Sequence, residues 1–444
     1  MAGSVGAVGW DSGLRRSEGW VAAWQQEREL KLQEEPRIVA TVEKDSGTER
    51  PPLRVRWAIS IVLGGLTVSF FILMFGPAPF VWIWLTWAAV FFCGVACVHR
   101  SWPRAILLNL GIVACLLAGA EGYLIKHEYV PPVYPDGDLY VHDNILGWAP
   151  KKGTIVHAIK PLPAGLFHGP QGMLFDVKYS IDSDGLRAAP PYRKDQSAGS
   201  ILFFGCSFTF GEGLKDDETL PYQVGMQSQG RYRTFNFGVG GYGPEQMLAA
   251  IERGMVTRLV DTPPRYAYYV ALPGHVWRVA GKVTWGGQAP RYVLGTDGTV
   301  HLAGNLKDRP SLAARMGITR GVRQLNKSAI WRMLSMRDSH ISDDDLRLYF
   351  AVVRRSKDLL TAQYPGIQFR VILWVNQADP EDRPVYEKMQ NGFRQMGIPV
   401  GLVEEILPGY GTDQLKYVLS SADHHPNALA NLLLAQHILY DVEK

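Results

Sequence analysis

The chain has 444 residues, 47% of them hydrophobic, and its 46 basic and 42 acidic side chains leave a formal net charge of +4. This near balance does not favour nucleic-acid binding, and the hydrophobic content excludes a largely disordered chain. The length indicates two or three structural units. Three of the four cysteines lie in strongly apolar runs, and only Cys206 lies in the polar remainder. That remainder therefore has no internal disulfide and no cysteine spacing typical of a zinc site.

Three apolar runs follow a mixed-charge N-terminal tail, residues 1–56. They are Trp57–Phe75, Val81–Val98 and Ala105–Leu124, and each is about long enough to cross roughly 30 Å of hydrocarbon. The sequence therefore predicts an anchor of three transmembrane helices in residues 57–124. The alternative is three buried helices of a soluble protein, which are difficult to pack in series in water.

Basic residues beside these runs predict the orientation of the anchor. Arg54 and Arg56 precede the first run, Arg100 and Arg104 separate the second from the third, and the first loop carries no charge. The positive-inside rule then places the N-terminus in the cytoplasm. Three spans place everything after Leu124 outside it, which in a bacterium means the periplasmic face of the inner membrane.

The rest of the chain predicts an α/β domain. Residues 125–195 form a Pro-rich linker and a β-rich lead-in, and in residues 196–444 short apolar strands alternate with amphipathic helices. This alternation predicts a parallel sheet covered by helices on both faces, with ligands bound at the carboxyl ends of the strands. An insertion at about 279–341 interrupts the pattern and contains a predicted hairpin with a Thr-Asp-Gly turn.

Ser207 directly follows the first predicted strand, in the segment Gly205–Gly211. A helix that begins there would direct its backbone N–H groups towards an oxyanion formed beside the serine. Taken alone, a serine in this position is more often a helix cap.

A glycine-rich segment follows the second predicted strand and contains a G-x-G-x-x-G pattern at Gly238, Gly240 and Gly243. Glycines allow a backbone to approach a ligand closely. A dinucleotide site would also need an acidic residue about twenty positions later, after a second strand. Asp261 has the distance, but no convincing strand leads to it, so the pattern alone is weak evidence for a nucleotide.

Near the C-terminus, Asp423 and His425 lie two residues apart, and Pro426 follows. This spacing allows the carboxylate to hold one imidazole nitrogen while the other faces a site. The alternatives are a metal-binding pair or a capped turn, and His424 is interpreted as structural. A serine, glycine-rich N–H donors and an Asp-His pair together predict acyl-transfer chemistry.

The segments GCSFTFGEG, NFGVGGYGPEQ and DHHPNALAN resemble those of the SGNH/GDSL hydrolases, in particular their bacterial membrane-anchored branch. The resemblance covers about residues 200–444 and implies an SGNH-type, flavodoxin-like α/β/α domain. It implies that Ser207 is the nucleophile, His425 its general base and Asp423 the residue that orients the histidine. It further implies that the N–H groups of Ser207 and Gly241 form part of the oxyanion hole.

The chain departs from the family pattern at three points. Cys206 replaces the usual Asp of Gly-Asp-Ser, and the usual Asp-x-x-His is Asp-x-His, with Ala422 at the more distant position. The third block lacks the family's oxyanion asparagine. His275 is the nearest candidate to replace it, either as an oxyanion donor or as a structural or substrate-contacting residue. Losing one such donor typically costs about a hundredfold or more in rate.

The sequence predicts a membrane-anchored serine esterase acting on ester groups, chiefly O-acetyl groups, of extracytoplasmic carbohydrate. The alternatives are an O-acyltransferase that works with a membrane acyl-donor partner, and a non-catalytic glycan-binding scaffold. Trp277 and Arg278 are predicted substrate contacts, and Trp285 and Tyr292 either stack on sugar rings or serve as packing. No metal, cofactor or nucleic acid is expected.

Overall fold

The computed structural model describes residues 53–75, 79–126, 131–162, 172–283, 286–308, 324–325, 327–337, 340–376 and 382–444. The described chain separates into two units. The smaller comprises residues 1–68 and 89–111, of which only helical segments and a short turn are described. The larger comprises residues 69–88 and 112–444 and contains every sheet reported below.

Each of the three apolar runs forms a helix: α1 (Leu53–Phe75), α2 (Pro79–Cys97) and α3 (Ser101–Lys126). Among the described residues, Pro79–Cys97 and Ser101–Ile125 are long and apolar enough to cross a membrane. The corresponding stretch of α1, Trp57–Leu73, is shorter. The helical prediction is therefore confirmed for all three runs, whereas an anchor of three spans is not.

The lead-in is β-rich, as the sequence predicts, and consists of two antiparallel pairs. Strand β1 (Tyr140–Asp143) pairs with β2 (Gly147–Pro150), and β3 (Thr154–Pro161) pairs with β4 (Met173–Ile181). The second pair has a small apolar core of its own, which includes Phe210 from the main domain. The lead-in thus packs directly against the segment that follows Ser207.

Five parallel strands form the central sheet of the main domain. They are β5 (Gly199–Phe204), β6 (Tyr232–Asn236), β7 (Pro264–Ala271) and, after a hairpin of β8 (Pro290–Leu294) and β9 (Val300–Asn305), β10 (Gln368–Leu373) and β11 (Val400–Leu402). Their order is β11-β10-β7-β5-β6. Numbered along the chain, this is 2-1-3-4-5, the flavodoxin-like order that the resemblance implies.

Helices cover both faces of the sheet, so all six residues of β5 are buried. The remaining helices are α4 (Ser207–Phe210), α5 (Leu220–Gln227), α6 (Pro244–Glu252), α7 (Met255–Leu259), α8 (Gly274–Val279), α9 (Ala329–Arg337), α10 (Asp343–Gln363), α11 (Asp382–Gln395), α12 (Val403–Ile406) and α13 (Ala428–Glu443). A short antiparallel pair, β12 (Val418–Ser420) and β13 (Asp423–Pro426), precedes α13. Strands and helices alternate along the main domain, as the sequence predicts.

Glu121, the acidic residue of the third apolar run, is fully buried and caps helix α9. Its carboxylate accepts hydrogen bonds from the hydroxyl of Ser328 at 3.0 Å, from Ile330 N–H at 3.1 Å and from Ala329 N–H. A carboxylate is favoured at a helix N-terminus because the first amides have no partner within the helix. The role of Glu121 is thus to hold one end of the insertion.

Candidate active site

The candidate site lies where the strand order of the sheet reverses. Strand β5 is followed in the chain by its neighbour on one side, β6, and then by its neighbour on the other side, β7. The connections therefore leave the carboxyl ends of β5 and β7 in opposite directions, and a crevice opens between them. Ser207 follows β5 and His275 follows β7, so the topology brings two candidates predicted from the sequence to this crevice.

The turn that carries Ser207 depends on Gly205, whose φ is +153°. A Cβ at this position would lie 2.2 Å from Thr209 Oγ1 and 3.0 Å from the carbonyl oxygen of Val270. Only glycine allows the chain to turn so tightly from β5 into α4. Ser207 is the first residue of α4 and is largely buried, and Cys206 is fully buried and packed.

Ser207, His425 and Asp423 form a continuous chain of hydrogen bonds. Ser207 Oγ lies 2.7 Å from His425 Nε2, and His425 Nδ1 lies 2.5 Å from Asp423 Oδ1. The same Oδ1 accepts the backbone N–H of His425 at 3.0 Å. Because an ionised carboxylate only accepts, Nδ1 carries the proton and Nε2 accepts the serine hydroxyl. The nitrogen that faces the serine is therefore ready to act as a base.

The charges around this chain favour a strong base. Burial by itself would raise the pKa of Asp423, but hydrogen bonds and charge from His425 and Lys160 hold it well below its ordinary value. Burial likewise opposes charge on His425, yet the carboxylates of Glu212 and Asp423 raise its pKa above 6.5. The carboxylate therefore stays ionised, and the imidazole has a raised affinity for a proton.

Two charged residues of the site, Lys160 and Glu212, have no role predicted from the sequence, although Glu212 lies within the segment GCSFTFGEG. Lys160 Nζ lies 2.6 Å from Asp423 Oδ2, and Glu212 Oε2 lies 3.9 Å from His425 Nε2. Both side chains are buried. Lys160 comes from β3 of the lead-in, far away in the chain, so only the packing of the lead-in against the domain brings it here.

A buried arginine of the lead-in, Arg187, holds the segment after Ser207. Its guanidinium donates to the carbonyl oxygens of Phe210 at 3.1 Å, Gly211 at 3.3 Å and Leu214 at 2.8 Å, and to Asp216 at 2.7 Å. These bonds satisfy carbonyls that the short helix α4 leaves without partners. Arg187 thereby fixes the position of Ser207 from its C-terminal side.

The glycine-rich loop after β6 is held against the segment of Ser207 and against the lead-in by hydrogen bonds at several points. Asn236 donates to the carbonyl oxygen of Thr209 at 3.0 Å, and Gly240 N–H donates to the hydroxyl of Tyr140 at 3.2 Å. Trp148 Nε1 donates to the carbonyl oxygen of Gly240 at 2.9 Å. Two residues of the lead-in thus hold the loop in place.

Two backbone N–H groups of the site remain available as hydrogen-bond donors. Within the described part of the chain, neither Ser207 N–H nor Gly241 N–H donates a hydrogen bond to another residue. Gly241 has a φ of +82°.

Asp261, the acidic residue considered for a dinucleotide site, pairs with Arg233 and precedes β7, at the opposite end of the sheet from the glycine-rich loop. The dinucleotide interpretation is therefore wrong, because Asp261 does not lie at the end of the sheet that carries the glycine-rich loop.

His275 lies in α8, directly after the carboxyl end of β7, and is fully buried. Its Nδ1 lies 2.7 Å from the hydroxyl of Tyr269, while Nε2 has no hydrogen-bond partner among the described residues. Burial, with a smaller contribution from Arg278, lowers its pKa well below 6.5, so the ring is neutral. If Tyr269 donates to Nδ1, His275 presents an unused N–H at Nε2.

The predicted substrate contacts have varied environments. Trp277 and Arg278 are half-buried, and Arg278 donates to the carbonyl oxygen of Tyr242 at 2.5 Å, which braces the glycine-rich loop. Tyr292 is buried and donates to Glu252 at 2.8 Å, so the suggestion that it stacks on a sugar ring is wrong. Trp285 lies outside the described residues.

His424 Nδ1 pairs with Asn376 Oδ1 at 2.9 Å, consistent with a structural role.

One group of side chains has the composition of a metal site. Glu212, Asp423 and His425 place one possible ligand atom each within 4.8 Å of one another. However, both ring nitrogens of His425 are used by Ser207 and Asp423, and the ammonium of Lys160 supplies the positive charge beside Asp423. The residues present therefore fit a proton-transfer site better than a metal centre.

A cavity of about 480 Å³ lies near this site but is separate from it. It is lined by Phe204 at the end of β5, by Gly205 of the following turn, by the glycine-rich loop and by the lead-in, and Ser207 and His425 are not among its lining residues.

Comparison with known proteins gives structural likeness only. No family model matches the chain, and no curated protein matches it. Among solved structures, the chain is similar to a lipolytic protein of the G-D-S-L family from Veillonella parvula, with 16% identity, coverage of 54% of this chain and 96% of that chain, and a TM-score of 0.32.

The similar structures include G-D-S-L lipolytic proteins. A GDSL-like lipase from Bacteroides thetaiotaomicron is 14% identical over 58% of this chain and 91% of its own, with a TM-score of 0.30. An acetyl xylan esterase from Butyrivibrio proteoclasticus is 11% identical over 59% of this chain and 66% of its own, with a TM-score of 0.29. Since these values are low, we base the chemistry on the geometry of the site.

Proposed function

We propose that this protein is a serine esterase that cleaves acyl esters through Ser207, His425 and Asp423. The observation that carries the proposal is the hydrogen-bonded chain from Ser207 Oγ to His425 Nε2, 2.7 Å, and from His425 Nδ1 to Asp423 Oδ1, 2.5 Å. A serine that merely capped a helix would not need a buried imidazole aligned by a carboxylate. The arrangement has the geometry by which such triads are recognised on unrelated folds.

The reaction proceeds in two transfers. Ser207 gives its hydroxyl proton to His425 Nε2 and attacks the ester carbonyl, and Asp423 stabilises the imidazolium that forms. The leaving alcohol takes the proton as the acyl–oxygen bond breaks, which leaves an acyl group on Ser207. An incoming hydroxyl then gives its proton to His425 Nε2 and attacks the acyl carbon. The bond between the acyl carbon and Ser207 Oγ breaks, and Oγ takes the proton back from His425.

The proposed oxyanion hole consists of the N–H groups of Ser207 and Gly241 with His275 Nε2. The two amides have no acceptor among the described residues, and the buried His275 Nε2 has no partner either. Donors without partners are costly to bury, which supports a role for them in binding charge that develops during the reaction.

The proposed substrate is an O-acetyl group on extracytoplasmic carbohydrate. Beside the nucleophile stand two carboxylates, Asp423 and Glu212, and one ammonium, Lys160, so the site has no excess of positive charge for an anionic ester. Trp277 is half-buried at the carboxyl end of β7 and leads into the insertion, a position suited to contact with a sugar.

We propose that α2 and α3 anchor the protein in the inner membrane, with the catalytic domain on the periplasmic side if α1 also spans. Only 6% of the residues in the apolar stretch of α2 and 28% of those in the apolar stretch of α3 are buried. Trp102 and Leu116 of α3 are each 67% exposed. Large apolar side chains exposed over whole helices are unfavourable in water. Core helices of a soluble domain would be buried.

The alternative is transfer of the acyl group to a sugar hydroxyl, which makes the protein an O-acyltransferase. The carboxylate of Glu212, 3.9 Å from His425 Nε2, supports this option because it could bind a second hydroxyl of an incoming sugar. The apolar helices contain few polar groups, so a separate membrane partner would supply the acyl donor. A non-catalytic glycan-binding scaffold would not require the aligned triad.

The proposal is tested with the full chain in detergent, with 4-nitrophenyl acetate as the ester. We expect hydrolysis that Ser207→Ala abolishes and that Ser421→Ala, at an exposed serine, leaves unchanged. A fluorophosphonate should modify Ser207 alone, as shown by mass spectrometry of the labelled peptide. A folded parent that neither turns over the ester nor reacts with the fluorophosphonate contradicts a serine mechanism. A soluble sugar acceptor added to the assay distinguishes transfer from hydrolysis.

A further inference from the structure

A lysine of the lead-in is buried at the centre of the candidate site. Lys160 lies near the end of β3 and is only 3% exposed. Its ammonium lies 2.6 Å from Asp423 Oδ2 and 3.9 Å from Glu212 Oε1. Lysine is seldom buried, and a buried ammonium is stable only when it is paired and hydrogen-bonded. Its burial against two carboxylates indicates a specific role.

The two oxygens of Asp423 have separate partners. Oδ1 accepts from the ring and the backbone N–H of His425, whereas Oδ2 accepts from Lys160. A carboxylate with only one side held is free to rotate about its χ2 bond. With both oxygens engaged, the carboxylate plane has one orientation, and the imidazole bound to it has one orientation towards Ser207.

Lys160 also balances charge around the imidazole. Two carboxylates face His425: Asp423 from its own strand and Glu212 from the segment after α4. Tyrosine hydroxyls face Glu212 from the lead-in, and burial keeps them neutral by raising their pKa values; they belong to Tyr134, Tyr140 and Tyr179. Lys160 is thus the cation that faces this group from the lead-in, beside two anions.

We propose that Lys160 is a positioning residue of the acyl-transfer site, which holds Asp423 for His425 and offsets the charge of Glu212. The inference rests on the proposed function and deepens it, because it makes the lead-in part of the catalytic unit. Residues 131–195 are then required for catalysis and do not merely connect the anchor to the domain.

Removal of the Lys160 ammonium should shift the pH profile of activity in a direction that a purely structural role would not produce. His425 must be neutral to accept the proton of Ser207, so activity rises with pH through the pKa of this residue. The positive charge of Lys160 lowers that pKa, in opposition to Glu212 and Asp423. Removal of the ammonium therefore moves the acid limb of the pH profile to higher pH.

The test compares Lys160→Met, Lys160→Arg and the parent as full chains in detergent. Lys178→Met serves as the matched control, because Lys178 is exposed on β4 of the same hairpin. The readouts are kcat/KM for 4-nitrophenyl acetate and the rate of fluorophosphonate labelling of Ser207, each from pH 5 to 9, with the thermal unfolding midpoint of every variant.

For Lys160→Met we expect the acid limb to move to higher pH in both assays, with a labelling rate at pH 6 about tenfold below the parent. Lys160→Arg should restore the position of the limb, and Lys178→Met should match the parent. A Lys160→Met protein that is folded and keeps the parental profile overturns the inference while the proposed function stands. A parent that is not labelled at any pH instead contradicts the proposed function. If Lys160→Met does not fold, Lys160→Arg is the deciding variant. A Lys160→Arg protein that folds normally but has lost the parental acid limb, or has lost activity, overturns the charge role.

Discussion

Asp423 and His425 are separated by one residue on strand β13, and their side chains lie on the same face, where His425 Nδ1 approaches Asp423 Oδ1 to 2.5 Å. Successive side chains of a strand alternate between faces, so positions two apart share one. The Asp-x-His spacing, a departure from the family's Asp-x-x-His, is therefore compatible with the geometry of a triad. Ala422 lies outside the strand and has no part in it.

Asp423→Asn should lower kcat by about ten-thousandfold without loss of the fold. An amide at this position would favour the wrong tautomer of His425 and would leave the imidazolium without its counter-charge. The measurement is kcat with 4-nitrophenyl acetate, and Asp413→Asn, at an exposed aspartate, is the control. A reduction of less than tenfold would indicate that Asp423 is not the residue that orients the base.

The pH profile should have its acid limb above the ordinary pKa of histidine, and Glu212→Gln should move it to lower pH. Among the groups that raise the pKa of His425, Glu212 is the largest contributor, and burial opposes it. Without the carboxylate the imidazole releases its proton more readily and is neutral at lower pH. The sign is opposite to that expected for Lys160→Met. The control is Glu405→Gln, at an exposed position, and a limb that stays in place in Glu212→Gln contradicts the assignment.

Gly205→Ala should destabilise the domain by at least about 2 kcal/mol and abolish activity. The methyl group would meet Thr209 Oγ1 at 2.2 Å, and the φ of +153° is strained for alanine. Gly254→Ala is the matched control, because its φ is +67° but nothing lies within 4 Å of the added Cβ. The measurement is the thermal unfolding midpoint of each variant, and a midpoint of Gly205→Ala no lower than that of Gly254→Ala would contradict the predicted conflict.

In the proposed membrane-anchored enzyme, the number of spans decides which side of the membrane holds the domain with Ser207. Three spans place Ser4 and Ser421 on opposite sides, and two spans place them on the same side. We expect Ser421→Cys, in intact spheroplasts, to react with a membrane-impermeant maleimide, whereas Ser4→Cys reacts only after the membrane is opened. Labelling is compared with that of the parent, whose Cys206 is buried. Protection of both positions, or reaction of both, would show an even number of spans.

Local patterns in the sequence predict much of the fold. The apolar strands and amphipathic helices have periods that reflect burial on one face or on two, and the alternation that they predict in residues 196–444 is found in elements such as β5, β7 and α10. The position of Ser207 after β5 and of the glycine-rich loop after β6 follows from the same patterns. The parallel sheet then places these segments at one edge.

The sequence alone thus determined the α/β class, the apolar helices, the serine, and the Asp-His pair as residues of one site. The tertiary structure alone decided which charges surround that pair. Lys160 lies in the lead-in and Glu212 in the segment after Ser207, and Lys160 reaches Asp423 because β3 packs on that segment. Periodicity records whether a side chain is buried, but not which partner it meets, because that depends on contacts between segments far apart in the chain.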